Sequence, residues 1–198
     1  MSREILNLPM DISTYDPTNK KVLDISRFGY NFTIGNGAGS NEPTKLTTSC
    51  GYDFVRTSSQ YLTLPDNNAF SFGNGATDLP FSVIVMMKPD DVTNTQGIIG
   101  KDNGLPDREW ALIFLTGTPA SIRVFLKDAG GANQQSCDWT TKPKLGIWQH
   151  IAFTYDGRGG NGSATATAVN GINIYYNGAS DTKTNTITNA YTAMSNST

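Results

Sequence analysis

What most restricts the fold of this chain is how often it turns. Gly35-Asn-Gly-Ala-Gly39, Pro65-Asp-Asn-Asn68, Gly73-Asn-Gly75, Lys88-Pro-Asp-Asp91, Asp102-Asn-Gly104, Ala129-Gly-Gly131 and Asn177-Gly178 punctuate it. Each supplies residues that favour turns through positive φ or through side-chain hydrogen bonds to the backbone. The stretches between them are short, apolar and rich in β-branched and aromatic residues. Strands are therefore expected at 4–10, 30–34, 46–55, 60–64, 81–88, 95–100, 110–116, 121–127, 134–140, 147–155, 165–176 and 183–188, with 11–20 a polar turn. No segment keeps a helical period beyond two turns. Helix-favouring carboxylates are scarce, since of 17 acidic residues only Glu4, Glu42 and Glu109 are glutamate. The expected fold class is all-β, a two-sheet antiparallel jelly-roll sandwich. At 198 residues, a single domain over 1–198 buries enough surface to fold without disulfides or a structural metal.

Two strands show the pleat. Along Trp148-Gln-His-Ile-Ala-Phe-Thr-Tyr155, Ile151, Phe153 and Tyr155 share one face, and Trp148, His150, Ala152 and Thr154 the other. Apolar groups on both faces mark a central strand. In Ser121-Ile-Arg-Val-Phe-Leu-Lys127, Ile122, Val124 and Leu126 point to the core, and the face carrying Arg123, Phe125 and Lys127 is expected to be wet. Residues 156–170 are low in complexity and read as a mobile hairpin loop.

Charge and cysteine usage exclude several function classes. Fifteen basic and 17 acidic residues give a net charge of −2, which argues against a nucleic-acid partner, because that needs a clustered basic face. The longest apolar run, Phe81 to Met87, is far short of the ~18 residues that span a bilayer, so no membrane insertion is expected. The first residues lack the apolar stretch of a secretory signal, and no export signal is expected. Cys50 and Cys137 fit no metal spacing, and a single His leaves no zinc site. Both cysteines are expected to be free, buried and inert.

Four segments resemble one family. Gly51-Tyr-Asp-Phe54 with Gln60-Tyr-Leu-Thr-Leu-Pro65, Leu79-Pro-Phe-Ser-Val-Ile-Val-Met-Met-Lys-Pro89, Gly97-Ile-Ile-Gly-Lys101, and Trp148-Gln-His-Ile-Ala-Phe-Thr-Tyr-Asp-Gly157 with Ile174-Tyr-Tyr-Asn-Gly178 are similar to the laminin-G-like, concanavalin A-like lectin/glucanase jelly-roll superfamily, in its pentraxin-like branch. The resemblance implies a concanavalin A-like sandwich that recognises surfaces or glycans. Asp53-Phe54 stands where the family has Asp-Gly, which weakens any calcium site; Asp53 and Asp102 are the weak Ca²⁺ candidates, and no other cofactor is expected. The family's closing pair of strands has no counterpart after the hairpin at Asn177-Gly178. A longer gene product or a neighbouring subunit is expected to supply it, because an unclosed sandwich exposes a strand edge.

Catalytic arrangements are not in evidence in the sequence. Hydrolases of this fold pair two glutamates on one strand, and the positions two and four after Glu109 are Ala111 and Ile113. His150 reads as a packed histidine beside Trp148, no serine sits in G-x-S-x-G, and Gly157-Arg-Gly-Gly-Asn-Gly162 lacks the lysine of a phosphate loop. Ligand contact is expected from rim loops, with Tyr15, Trp139 and Tyr191 as stacking rings and Asn103, Asp107 and Asn133 as polar partners. Tyr15 and Tyr191 are expected at the surface and Trp110 in the core.

The sequence thus points to a non-catalytic surface-recognition or assembly module. The setting expected for it is a bacteriophage virion (fibre, tail or capsid decoration), made in the cytoplasm and displayed on the virion surface, with other virion proteins or its own copies as partners and a cell-surface polysaccharide as a ligand. The alternative is a lectin-like carbohydrate-binding module of a larger extracellular protein or glycoside hydrolase.

Overall fold

The computed structural model describes residues 4–39, 41–47, 50–102, 108–117, 119–128 and 133–195. They fall into two compact units, one running to Ala69 and one from Phe70 onward. Among the described residues no helix is long and apolar enough to cross a membrane.

The first unit is made of very short strands: β1 (Tyr15–Asp16), β2 (Lys21–Val22), β3 (Phe32–Ile34), β4 (Thr44–Lys45), β5 (Tyr52–Asp53) and β6 (Leu62–Thr63). β1-β2-β3-β6 form one sheet and β4 pairs with β5. Side-chain acceptors organise the chain between them. Asp24 Oδ1 accepts the Asn7 and Ser26 N–H groups, both at 2.8 Å, while Oδ2 accepts Ser26 Oγ at 2.6 Å and the Tyr30 N–H at 2.8 Å. This explains why 4–10 is not the expected strand. Asn7 gives its N–H to Asp24 and its carbonyl to the Ile25 N–H at 3.0 Å, so that residue enters no ladder. The expected strand at 46–55 is likewise reduced to β5, with β4 just ahead of it.

The second unit carries the long strands β7 (Phe81–Met87), β8 (Gln96–Asp102), β9 (Arg108–Leu115), β10 (Ser121–Lys127), β11 (Gln134–Trp139), β12 (Gln149–Tyr155), β13 (Ile172–Tyr176), β14 (Ala179–Asp181) and β15 (Lys183–Thr188). They form two antiparallel sheets, one in the order β15-β11-β10-β9-β8 and one in the order β14-β13-β12-β7. Alternation decides what lies between them. Trp110, Leu112 and Phe114 on β9, Ile122, Val124 and Leu126 on β10, and Cys137 and Trp139 on β11 meet Ile151, Phe153 and Tyr155 on β12 with Ile172 and Ile174 on β13. Phe81 joins the two sheets through its ring, 5.2 Å from Trp110 and 5.5 Å from Phe153. β12 lies between β13 and β7, as its two apolar faces require.

Three expectations for this unit need correction. Residues 165–176 are not one strand: Thr167–Asn170 form a helical turn, α1, because the buried Gln135 clamps it. Gln135 Nε2 donates to the Thr165 carbonyl at 2.6 Å and its Oε1 accepts the Val169 N–H at 2.9 Å. The outer face of β10 is not wet. Phe125, Ser136 and Asp138 are buried, and Arg123 reaches both oxygens of Asp138, at 2.6 and 3.2 Å. The glycine-rich loop is pinned, since Gly160 and Gly162 donate to the Thr192 and Tyr191 carbonyls at 2.7 and 3.0 Å. A Cβ on Gly160 would overlap the Tyr191 carbonyl, so only glycine permits this approach.

The same closing segment is held by Asp78. Its Oδ2 accepts Tyr155 OH at 2.7 Å and Tyr191 OH at 2.6 Å, and its Oδ1 accepts the Met194 N–H at 2.7 Å. Tyr155 OH in turn accepts the Gly159 N–H at 2.8 Å. Burial holds the Asp78 carboxyl above the usual aspartate range, against the pull of its three donors. Both phenols are pushed upward, first by burial and then by the carboxylate. Cys50 and Cys137 are both free, but only Cys137 is buried; Cys50 is exposed in the bend before β5. Burial pushes the Cys137 thiol up to about 12.

Asp78→Ala is expected to destabilise the protein by about 2–4 kcal/mol in denaturant titrations, since it orphans buried donors. Asp78→Asn, which keeps an acceptor, is expected to cost less. Because the folded-state pKa lies above the unfolded value, wild-type stability relative to Asp78→Asn is expected to be greatest below pH ~4 and to fall as pH rises through the folded pKa; an unchanged difference would contradict the assignment. A thiol reagent at neutral pH is expected to label Cys50 rapidly and Cys137 only on unfolding.

Candidate functional site

The residues expected to bind ligand are not brought together. Trp139 is fully buried on the inner side of β11, its Nε1 donating to the Tyr175 carbonyl at 3.1 Å. Tyr191, expected at the surface, is fully buried because its hydroxyl serves Asp78. Neither ring presents a face to solvent. Tyr15 is half-buried on β1 with its ring edge-on to Tyr52 at 6.5 Å. Asn133 closes the β10–β11 connection: its N–H and Nδ2 donate to the Asp128 carboxylate at 3.0 and 2.7 Å. Asn103 and Asp107 lie outside the described residues. Trp110 is in the core, as expected. Of the calcium candidates, Asp53 is exposed on β5, and Asp102 forms an ion pair with Arg108 at 3.0 Å. Among the described residues no group of three or more His, Cys, Asp or Glu is placed to hold a metal ion.

Glu109 and Asp138 of the five-stranded sheet do not form a hydrolytic pair. Glu109 on β9 pairs with Lys101 at 3.3 Å, and Asp138 on β11 with Arg123 at 2.6 Å. Asp138 is level with Ile113 through Arg123. Glu109 therefore sits two strands across and four residues along, which is roughly 16 Å between Cα positions at ordinary strand spacing. Glycoside hydrolysis needs carboxyl groups about 5 to 9.5 Å apart. Asp78, whose raised pKa would suit a general acid, has its oxygens taken by Tyr155, Tyr191 and Met194 and is 7% exposed.

In the second unit, an open surface is the outer face of the sheet β14-β13-β12-β7. The ladder fixes its pattern row by row: Met86 opposite His150; Ile84, Ala152, Tyr175 and Ser180 abreast; then Ser82, Thr154 and Asn173. Trp148 immediately precedes β12, two residues before His150, and is exposed. Beyond His150 the hairpin residue Asn177 closes the row: its Oδ1 accepts the His150 N–H at 2.8 Å, and its own N–H donates to the His150 carbonyl at 2.7 Å. Asn177 and Gly178 have φ of 49° and 81°, the left-handed pair that a tight hairpin requires.

Exposure shows the relief of this face. Ile84, Met86 and Trp148 are 68%, 60% and 47% exposed, whereas Ala152 is 7% exposed although it points outward. Ala152 lies between the larger Ile84 and Tyr175 in the ladder, so β12 is the low row, a shallow trough, of this face, running from His150 to Thr154. Leu145 and Ile147, also exposed, extend the apolar surface at the Trp148 end. Exposed large apolar groups clustered on one sheet face mark a contact surface.

A family model for the concanavalin A-like lectin/glucanases superfamily, of the laminin-G type, matches residues 56–197. The chain belongs to that superfamily. The match includes both sheets of the second unit and the whole of the exposed face, and it makes the fold that of a carbohydrate-binding or recognition module. Comparisons with curated proteins and with solved structures give no match.

The sequence contained the signal for this face. The alternation in β12 placed Trp148, His150, Ala152 and Thr154 together, but a tryptophan on a central strand reads as core until the covering layer is known. Trp148 is expected to be the only one of the three tryptophans open to a collisional quencher. Trp148→Phe is expected to remove the iodide-quenched, red-shifted part of the fluorescence, leaving the buried emission of Trp110 and Trp139 unchanged.

Proposed function

We propose that this chain is a non-catalytic recognition module that holds a glycan chain along the trough of its four-stranded sheet. The observation that carries the reading is the half-open indole of Trp148, which immediately precedes the strand whose outer row is His150, Ala152 and Thr154. An indole fixed on a sheet offers an apolar plane to the C–H face of a sugar ring. Rows along a strand repeat every ~6.7 Å, so His150 and Thr154, two rows apart, stand ~13 Å from one another on either side of Ala152 and offer polar contacts to separate sugar units, with Asn173 beside Thr154. Membership of a lectin/glucanase superfamily supports the ligand class. The ion-paired, widely spaced Glu109 and Asp138 support binding without hydrolysis.

A second reading is favoured by Ile84 and Met86, which are more apolar than a sugar requires. Methionine and tryptophan are enriched where proteins dock, and the face then serves assembly into a larger particle. We place that assembly on a virion surface, with an extracellular scaffold as the other setting.

Affinity electrophoresis and calorimetry against cell-surface polysaccharides test the first reading. Retention of the wild type, an about tenfold or greater loss in Trp148→Ala, an unchanged melting temperature and no release of reducing ends are expected. No retained polysaccharide, or full retention by Trp148→Ala, would refute glycan binding at this face. Stoichiometric recovery of the chain from purified particles tests the second.

A further inference from the structure

Four strands form the edges of the two long sheets: β14 and β7 in one, β15 and β8 in the other. Exposed edges recruit other strands unless something blunts them, by shortness, charge, glycine or a bulge. Three of the four are blunted. β8 carries Gly97 and Gly100, ends in Lys101-Asp102, and shifts register twice against β9. β15 begins with Lys183 and pairs with β11 across a register shift between Ser136 and Asp138. β14 is three residues long and ends in Asp181.

β7 has no such device. Its seven residues, Phe81-Ser-Val-Ile-Val-Met-Met87, contain no charge, proline or glycine, and their register against β12 is unbroken over the whole strand. A run of this kind is what a strand buried within a sheet looks like. Among the described residues of the second unit, no backbone group other than those of β12 pairs with it. The core beside it is also incomplete. Val83, Val85 and Met87 point inward but are only half-buried, whereas Ile151 and Phe153 next to them on β12 are fully buried. Val92, Ile98 and Ile99, in the connection to β8 and on β8 itself, are half-buried too. Among the described residues of the second unit, the apolar interior is thus least covered along the side bounded by β7 and β8.

We propose that a second copy of this chain closes that side, its β7 pairing antiparallel with β7 about a two-fold axis. Self-pairing suits this strand. It carries no charge, so no like charges are opposed. An antiparallel register centred on Ile84 sets Val83 against Val85 of the second copy, continuing the inner apolar row, and brings the two exposed Ile84 side chains together on the outer face. The contact is isologous and closes at two copies, without leaving a free edge to propagate. β7 offers a foreign strand no charged group to read, whereas a second copy brings a matching apolar sequence. The β14-β13-β12-β7 sheets of the two copies then become one continuous sheet, with both troughs on the same side.

Sedimentation equilibrium and light scattering on the full chain test this. Wild type is expected at twice the chain mass, and Ile84→Lys at the single mass with unchanged circular dichroism. Trp148→Ala, on the same face but away from the edge, is expected to stay dimeric. Should Ile84→Lys fail to fold, crosslinking decides: in a Cys50→Ser background, Ile84→Cys is expected to give a disulfide-linked dimer on mild oxidation, and Thr93→Cys none. A wild type of single mass at every concentration, a dimeric Ile84→Lys, no crosslink through Ile84→Cys, or a dimer lost in Trp148→Ala alone would each overturn the proposal. Mass is read without glycan, so this outcome is separate from that of polysaccharide binding.

Discussion

Asp78 is the acceptor on which the second unit closes. Donors lying 77, 113 and 116 residues further along the chain converge on one carboxylate. Two are phenols from the core and one is the backbone of the closing segment. Taken separately, each group would be a buried polar atom in need of a partner; together they satisfy one another. The arrangement fixes where the chain runs after β15, and with it the position of the glycine-rich loop that bonds to Tyr191 and Thr192. A buried carboxylate commonly signals catalysis. Here its hydrogen bonds come from Tyr155, Tyr191 and Met194 within the fold, which makes it structural.

The two faces of β12 show how one strand serves stability and contact at once. Ile151, Phe153 and Tyr155 lie in the core, and the alternate residues form the floor of the exposed trough. The surface is therefore as rigid as the sheet beneath it, and a ligand meets groups whose backbone is already ordered. That limits the entropy lost on binding. By contrast, Glu109 and Asp138 of the five-stranded sheet are paired with cations and buried, which suits cohesion better than recognition.

The edges of the sheets tell a related story about assembly. β8, β14 and β15 each contain a feature that discourages further pairing, and β7 contains none. A dimer through β7 would carry two troughs on one surface. Repeating ligands such as polysaccharides would then be held by two weak contacts acting together, which raises the effective affinity without any new interaction within either site.

Much of this was legible in the sequence, because alternation and turn chemistry are local. The positions of β10 and β15, the inward row of Ile122, Val124 and Leu126, the hairpin at Asn177-Gly178 and the shared face of Trp148, His150, Ala152 and Thr154 follow from a period of two and from residues that accept positive φ. The family resemblance likewise rested on local segments. What the sequence could not determine is which face of each strand is covered, and by what. Tyr191 and Trp139 seemed suited to stack on a ligand, yet both are consumed by the interior: one by a carboxylate 113 residues away, the other by a carbonyl 36 residues away. Trp148 read as core and is exposed, while Gln135, a polar residue on a strand, is buried because it holds α1. Alternation sorts side chains into two sets. Only the packing of one sheet on another decides which set meets water, because burial depends on contacts far apart in the chain.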